Sequence, residues 1–226
     1  MITFPNRKPI LFVVLLMIAA GVLAACSSAG DDTQVAATGS SPSPDPSSFV
    51  LKTDTDFDAS YRITMHLPDG YAGHQTVVFG TDGGQGISAW TVANVYAEPC
   101  HWVGTLLDPP IDSSVDGLVA GLASQRSRHA SAATDASLDG FTGRYMELTV
   151  PARIDLADCH GGQFRTWVDP TFEGARYLEP GQRDLLWIVD VDGSRLVIDA
   201  ALGPETTRQD RADRIQMVES IRIEPV

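Results

Sequence analysis

Tyr61, Ile63, Met65 and Leu67 alternate with Arg62, Thr64 and His66, the period-two pattern of a half-buried strand, and Pro68-Asp69-Gly70 ends it with turn chemistry. Thr76 to Phe79 and Ile87 to Tyr96 read as further strands, separated by the glycine-rich stretch Gly80 to Gly86, which is expected to be a mobile hairpin loop. Val115, Leu118, Val119, Leu122 and Ala123 then fall at helical spacing behind Ser113, an N-capping residue type with Asp116 three positions on. This predicts an amphipathic helix near residues 114–125.

The second half carries sharper punctuation. Asp139-Gly140 separates a strand around Ala133 to Leu138 from one around Phe141 to Val150, and Asp192-Gly193 separates Leu185 to Val191 from Arg195 to Leu202. Leu185 to Val189 and Leu196 to Ile198 are nearly continuous apolar runs, so the second hairpin is expected to be central and covered by a helix on at least one face. Gln163 to Val168 supplies another strand. Thr206 and Thr207 offer caps for a helix near 207–219 in which Ala212, Ile215 and Val218 form the buried stripe, while Arg208, Asp210, Arg211 and Asp213 face water. A short strand at Ile221 to Ile223 closes the chain. An antiparallel sheet with one helix between its strands and one near its end is an α+β arrangement.

The N-terminus has a different pattern. Arg7 and Lys8 precede an apolar stretch, Ile10 to Val22, that is short for a membrane span, and Leu23-Ala24-Ala25-Cys26 closes it with small residues before a cysteine. The tetrapeptide resembles the bacterial lipobox. That resemblance implies a signal peptide over 1–25, cleavage after Ala25, and diacylglyceryl transfer to the Cys26 thiol. Two or three acyl chains, at about 0.8 kcal/mol per buried methylene, hold a protein stably on a membrane where one chain would not. Residues 26–48 are mostly Ser, Ala, Gly, Thr, Asp and Pro, with Val35 the only bulky aliphatic residue. Such a segment is expected to be a disordered tether spanning roughly 25 Å. One extracytoplasmic domain, residues 49–226, remains and is long enough for a sizeable core.

Composition narrows the function classes. Loss of Arg7 and Lys8 takes the formal charge from -13 to about -15, which excludes nucleic acid and anionic headgroups as general electrostatic partners. The near absence of lysine, with arginine, alanine, glycine and aspartate abundant, resembles the coding bias of a high-GC actinobacterium. Leu67-Pro68-Asp69-Gly70-Tyr71 and the closing Met217-Val218-Glu219-Ser220-Ile221-Arg222-Ile223 resemble the PsbP-like fold found in many exported actinobacterial lipoproteins. The resemblance runs from about Tyr61 to Ile223 and implies an accessory or binding domain, with no catalytic residue to carry over.

With Cys26 lipidated, Cys100 and Cys159 are an even pair in an oxidising compartment, and a disulfide between them is expected. In the chain-entropy model a loop of this length is worth about 4 kcal/mol. The bridge would clamp Glu98-Pro99-Cys100-His101-Trp102 onto Asp158-Cys159-His160-Gly161-Gly162 and gather two imidazoles near Asp158. Bridged cysteines are not metal ligands, and loop histidines that hydrogen-bond beside the bridge are a better reading than a two-His-one-carboxylate metal set.

Other motifs fall short. Asp54-Thr55-Asp56-Phe57-Asp58 starts like a calcium loop, but Ala59 stands where glycine is needed and Met65 where a bidentate glutamate is needed, so a solvated acidic run is expected. Gly80 to Gly86 lacks the Lys-Ser/Thr and the following helix of a phosphate cradle. There is no Gly-x-Ser-x-Gly elbow and no His-Glu-x-x-His, so neither a catalytic set nor a cofactor is expected. Trp90, Trp167 and Trp187 read as core or cross-strand residues. The expected binding surface is His101, Trp102 and His160. Three readings follow: a membrane-anchored, non-catalytic binding module for an envelope ligand or protein, a cell-envelope hydrolase using His101, His160 and Asp158, or a structural envelope protein. The address itself is testable. Cys26→Ser should abolish acyl labelling and leave an uncleaved precursor; unchanged labelling would contradict it.

Overall fold

The two Asp-Gly pairs lie where the chain needs consecutive residues at positive φ: Asp139 and Gly140 at 49° and 87°, Asp192 and Gly193 at 50° and 87°. Aspartate tolerates that region and glycine has no Cβ to clash, so both pairs form the hairpin turns whose twist matches their strands.

The computed structural model describes residues 47–53, 56–80, 86–171 and 175–226. The signal peptide, Cys26 and residues 26–46 of the tether lie outside the described residues, as do Asp54, Thr55 and residues 81–85 of the glycine-rich stretch. In chain order the elements are β1 (Ser48–Leu51), α1 (Phe57–Ser60), β2 (Tyr61–His66), β3 (Tyr71–His74), β4 (Val77–Gly80), β5 (Ile87–Trp90), β6 (Asn94–Val95) and α2 (Val115–Ala123). There follow β7 (His129–Ala130), β8 (Thr134–Leu138), β9 (Phe141–Thr149), β10 (Phe164–Val168), β11 (Ala175–Leu178), β12 (Arg183–Val191), β13 (Ser194–Leu202), α3 (Arg208–Glu219) and β14 (Arg222–Pro225). Two 3-10 turns, Leu156–Asp158 and His160–Gly162, precede β10.

An antiparallel sheet runs β3-β4-β5-β13-β12-β9-β7, with β8 also pairing β9. Two smaller antiparallel sheets, β1-β2-β14 and β11-β10-β6, complete the architecture, which is α+β as expected. The β12–β13 hairpin is central and apolar on both faces. Leu185, Val189, Leu196, Ile198 and Ala200 face one cluster with Leu51, Ile63 and Met65 from β1–β2, Met217 and Val218 from α3, and Ile223 from β14. Leu186, Ile188 and Val197 face the other, with Leu118 and Leu122 from α2, Val95 and Trp167. A buried aliphatic side chain contributes about 1.5–3 kcal/mol through removal from water, so each cover is held mainly by these clusters. Trp187 lies opposite Tyr145 in register, with ring centroids 5.0 Å apart, and Trp90 meets Trp167 edge-on at 5.9 Å.

Several local expectations are corrected. Ile87 to Tyr96 is two strands in different sheets: Asn94 is buried, its Nδ2 donates to the Leu107 carbonyl and its Oδ1 accepts from Val95 N, which holds the chain off the first sheet. The cap of α2 is Ser114 in place of Ser113, and its side chain accepts from Gly117 N. Ala123 is exposed and Gly121 is buried instead, because Ile111 and Val95 press on the helix where a Cβ would stand. In α3, Thr207 and Asp210 form a reciprocal capping box, Ala212 is exposed, and Arg214 joins Met217 and Val218 in the buried face. Arg211 pairs with Glu147 at 2.8 Å. In the acidic run Asp58 accepts from Thr53 N at 3.0 Å and from its hydroxyl at 3.1 Å, so it stitches α1 to the end of β1.

Between the main sheet and β11-β10-β6 lies a charged cluster. Arg176 Nε donates to Asp199 Oδ2 at 2.5 Å and its Nη2 reaches Asp184 Oδ1 at 3.4 Å. Arg128 Nη2 stands 3.7 Å from Asp184 Oδ2, its Nη1 donates to Thr166 Oγ1 at 3.0 Å, and Gln182 Nε2 donates to Asp184 Oδ1 at 2.6 Å. Burial draws Arg128 down to about 10, against the opposing pull of Asp184, so it stays charged at neutral pH. Desolvation pushes Asp199 up to about 7 despite Arg176, and the nearby Asp184 charge adds to the rise.

An acid whose pKa is raised by folding is destabilised by its own ionisation. The folded state holds a proton that the unfolded chain has released, in the window from about pH 4 to about pH 7, so stability falls as pH rises through it. Urea midpoints between pH 4.5 and 7.5 should therefore show a downward contribution of up to about 1.4 kcal/mol per pH unit that Asp199→Asn removes. A variant with the parent's slope would contradict this assignment.

Candidate binding site at the disulfide

The Cys100–Cys159 disulfide is formed, with Cα atoms 4.5 Å apart across a separation of 59 residues. Beneath it Val150, Phe164 and Leu178 make a small apolar cluster with the two cysteines. The backbone completes the clamp: His160 N donates to the Cys100 carbonyl at 2.8 Å, and Arg165 N to the Pro99 carbonyl at 2.9 Å. Gly161 and Gly162 both stand at positive φ, 61° and 68°, where the chain leaves His160 and turns into β10.

The bridge brings the expected residues together. The His101 and His160 rings meet edge-on with centroids 5.3 Å apart, and Trp102 meets His160 at 6.1 Å. Trp102 Nε1 donates to the His160 carbonyl at 2.8 Å, and His160 Nδ1 accepts from Val103 N at 3.2 Å. Asp158 lies in the adjacent 3-10 turn and makes no hydrogen bond or ion pair with either imidazole. Among the described residues no group of three or more His, Cys, Asp or Glu has a metal-holding arrangement.

Two residues that the sequence did not single out complete the patch. The Arg165 guanidinium stacks 3.6 Å from the Trp102 ring centroid and 5.2 Å from that of Tyr177, and Gln163 Oε1 accepts from its Nε at 3.1 Å and Nη2 at 2.8 Å. Tyr177 is 45% exposed and Val103 60%. The strand expected over Gln163 to Val168 was the available signal, since successive strand residues point to opposite faces and Arg165 therefore leaves the face of Phe164. The result is a pre-ordered open surface of indole, imidazole, phenol and guanidinium, with no nucleophile held by a base. A recess of about 480 Å3 lies elsewhere, lined by Phe57, Tyr61, Thr91 and Arg195 among others. Arg195 there donates to the carbonyls of Val92, Asp112 and Ser114 at 2.6–2.7 Å, which gives it a structural task.

No family model and no curated protein matches the chain. Among solved structures it is similar to LpqN of Mycobacterium tuberculosis, described as involved in cell envelope biogenesis, with 12% identity over 79% of this chain and 91% of that one and a TM-score of 0.41. It is also similar to the cyanobacterial PsbP of Synechocystis, with 14% identity over 79% and 93% of the chains and a TM-score of 0.37. At scores and identities this low, neither protein's role carries over to this chain.

The stacked arginine is the least replaceable part of the patch, because a planar guanidinium both lies on an aromatic face and presents a fork to Gln163. Arg165→Ala should lower stability by about 1 kcal/mol in urea unfolding, and Arg165→Lys should recover little of it. Full recovery by lysine would mean that charge alone matters.

Proposed function

We propose that this protein is a lipid-anchored extracytoplasmic lipoprotein whose folded domain is a non-catalytic binding or accessory module of the cell envelope. The anchor is Cys26, after cleavage of residues 1–25, and the tether up to residue 48 gives the domain its reach. Among the described residues no helix is long and apolar enough to cross a membrane. The contact surface is His101, Trp102 and His160, extended by Arg165 and Tyr177. The observation that carries this reading is the Arg165–Trp102 stack beside the disulfide, since aromatic and arginine side chains already immobilised in the free protein lose little entropy on binding. A partner that is anionic or rich in hydroxyl groups would find cation, imidazole and flat ring faces together.

A photo-crosslinker placed at Val103 in membrane-bound protein should give a specific adduct that one at exposed Gln216 does not. His101→Ala with His160→Ala should weaken that adduct while fold and disulfide persist. Turnover of an ester, glycoside or peptide that the double change abolishes would replace the binding reading with the hydrolase.

A further inference from the structure

One member of the buried charge cluster reaches a second recess, far in sequence from the disulfide. The Arg176 side chain is 13% exposed, whereas the carboxylates of Asp184 and Asp199 that it contacts are at 0%. Arg176 lines a cavity of about 200 Å3 formed with the β3–β4 turn and strands β4 and β5, and its Nη1 also donates to the Tyr177 carbonyl at 2.7 Å. Val77, Phe79 and Trp90 make the apolar side, and Thr76 and Ser88 contribute hydroxyls. Arg176 is the sole charged group lining it among the described residues. Ser88 lies opposite Asp199 in register. Its oxygen accepts from Trp90 Nε1 at 2.8 Å, so its O–H is left to donate.

We infer that this cavity binds a small monocarboxylate with a compact apolar body, the carboxylate on Arg176 and the Ser88 hydroxyl and the body against Trp90 and Phe79. Size sets the first limit, because drug-sized ligands occupy about 300–1,000 Å3 and this recess suits an acid of one ring or a short branched chain. Charge sets the second. Arg176 of β11 and Arg128 of the segment before β7 face Asp199 of β13 and Asp184 of β12, with Gln182 and Thr166 as neutral partners. When Asp199 carries a proton these four groups sum to one positive charge, which a monoanion balances and a dianion would overshoot beside Asp184. Proton and ligand are therefore taken up together. Because burial already lifts Asp199 to about 7, affinity rises as pH falls through that value.

The test is calorimetric titration of the full chain with benzoate at pH 6 and pH 8, with benzamide as the uncharged isostere and sulfate as the dianion. A saturable benzoate isotherm at pH 6, about tenfold weaker at pH 8, is expected. Benzamide and sulfate should bind at least tenfold more weakly than benzoate. Arg176→Gln should abolish binding; because that change can unsettle the core, Ser88→Val, which keeps a strand-favouring residue while filling the recess, serves as the second variant. In either variant that keeps the parent's circular dichroism, binding should fall at least tenfold. Absence of saturable binding at pH 6, equal binding of benzamide or sulfate, pH-independent affinity, or undiminished binding in a folded variant would each overturn the proposal.

Discussion

The constraint on which the rest of the structure depends is the two-sided burial of the β12–β13 hairpin. Strands exposed on one face alternate apolar and polar residues. Here Leu185, Leu186, Ile188, Val189, Leu196, Val197 and Ile198 are fully withdrawn from water whichever way they point. A hairpin of that kind is stable only beneath two covers. The first is α3 with the β1-β2-β14 sheet, the second α2 with the β11-β10-β6 sheet. The second cover carries the chemistry. Its strand β10 begins at the disulfide patch, and its edge strand β11 delivers Arg176 to the interior carboxylates.

Those carboxylates come from the same central strands, and they temper the hydrophobic account. Asp184 and Asp199 sit in otherwise apolar rows, where an unpaired charge would cost several kcal/mol. Two arginines, a glutamine and a threonine gather around them, yet Asp184 Oδ2, Asp199 Oδ1 and Arg128 Nε accept or donate no hydrogen bond. A cluster left partly unsatisfied contributes less to stability than apolar packing of equal volume would. Its retention in the core is more easily understood as a means of holding Arg176 at a cavity wall than as a stabilising device.

Much of this was legible in the sequence, and the reasons differ by element. The Asp-Gly turns were readable because their backbone admits few residue types, and the central hairpin because its apolar runs are too continuous for a sheet wet on one side. The Cys100–Cys159 bridge followed from counting, and with it the meeting of His101, Trp102 and His160. The short strands β1, β3, β7 and β11 were not readable, since two to four residues show no period and depend on their partners for hydrogen bonds. Arg165 stayed hidden because its importance lies in which ring it stacks on. The signal for Asp199, a lone carboxylate inside Leu196 to Leu202, was present, but its partners lie on other strands.

The bridge makes two distant loops one rigid surface set on an independently stable core. Amide hydrogen exchange on the full chain, oxidised and then reduced, addresses it directly. Exchange should be slowest in β12 and β13 in both states, while reduction should accelerate residues 101–103 and 160–163 together. Loops that exchange equally fast before and after reduction, or a central hairpin that loses its protection with them, would contradict it.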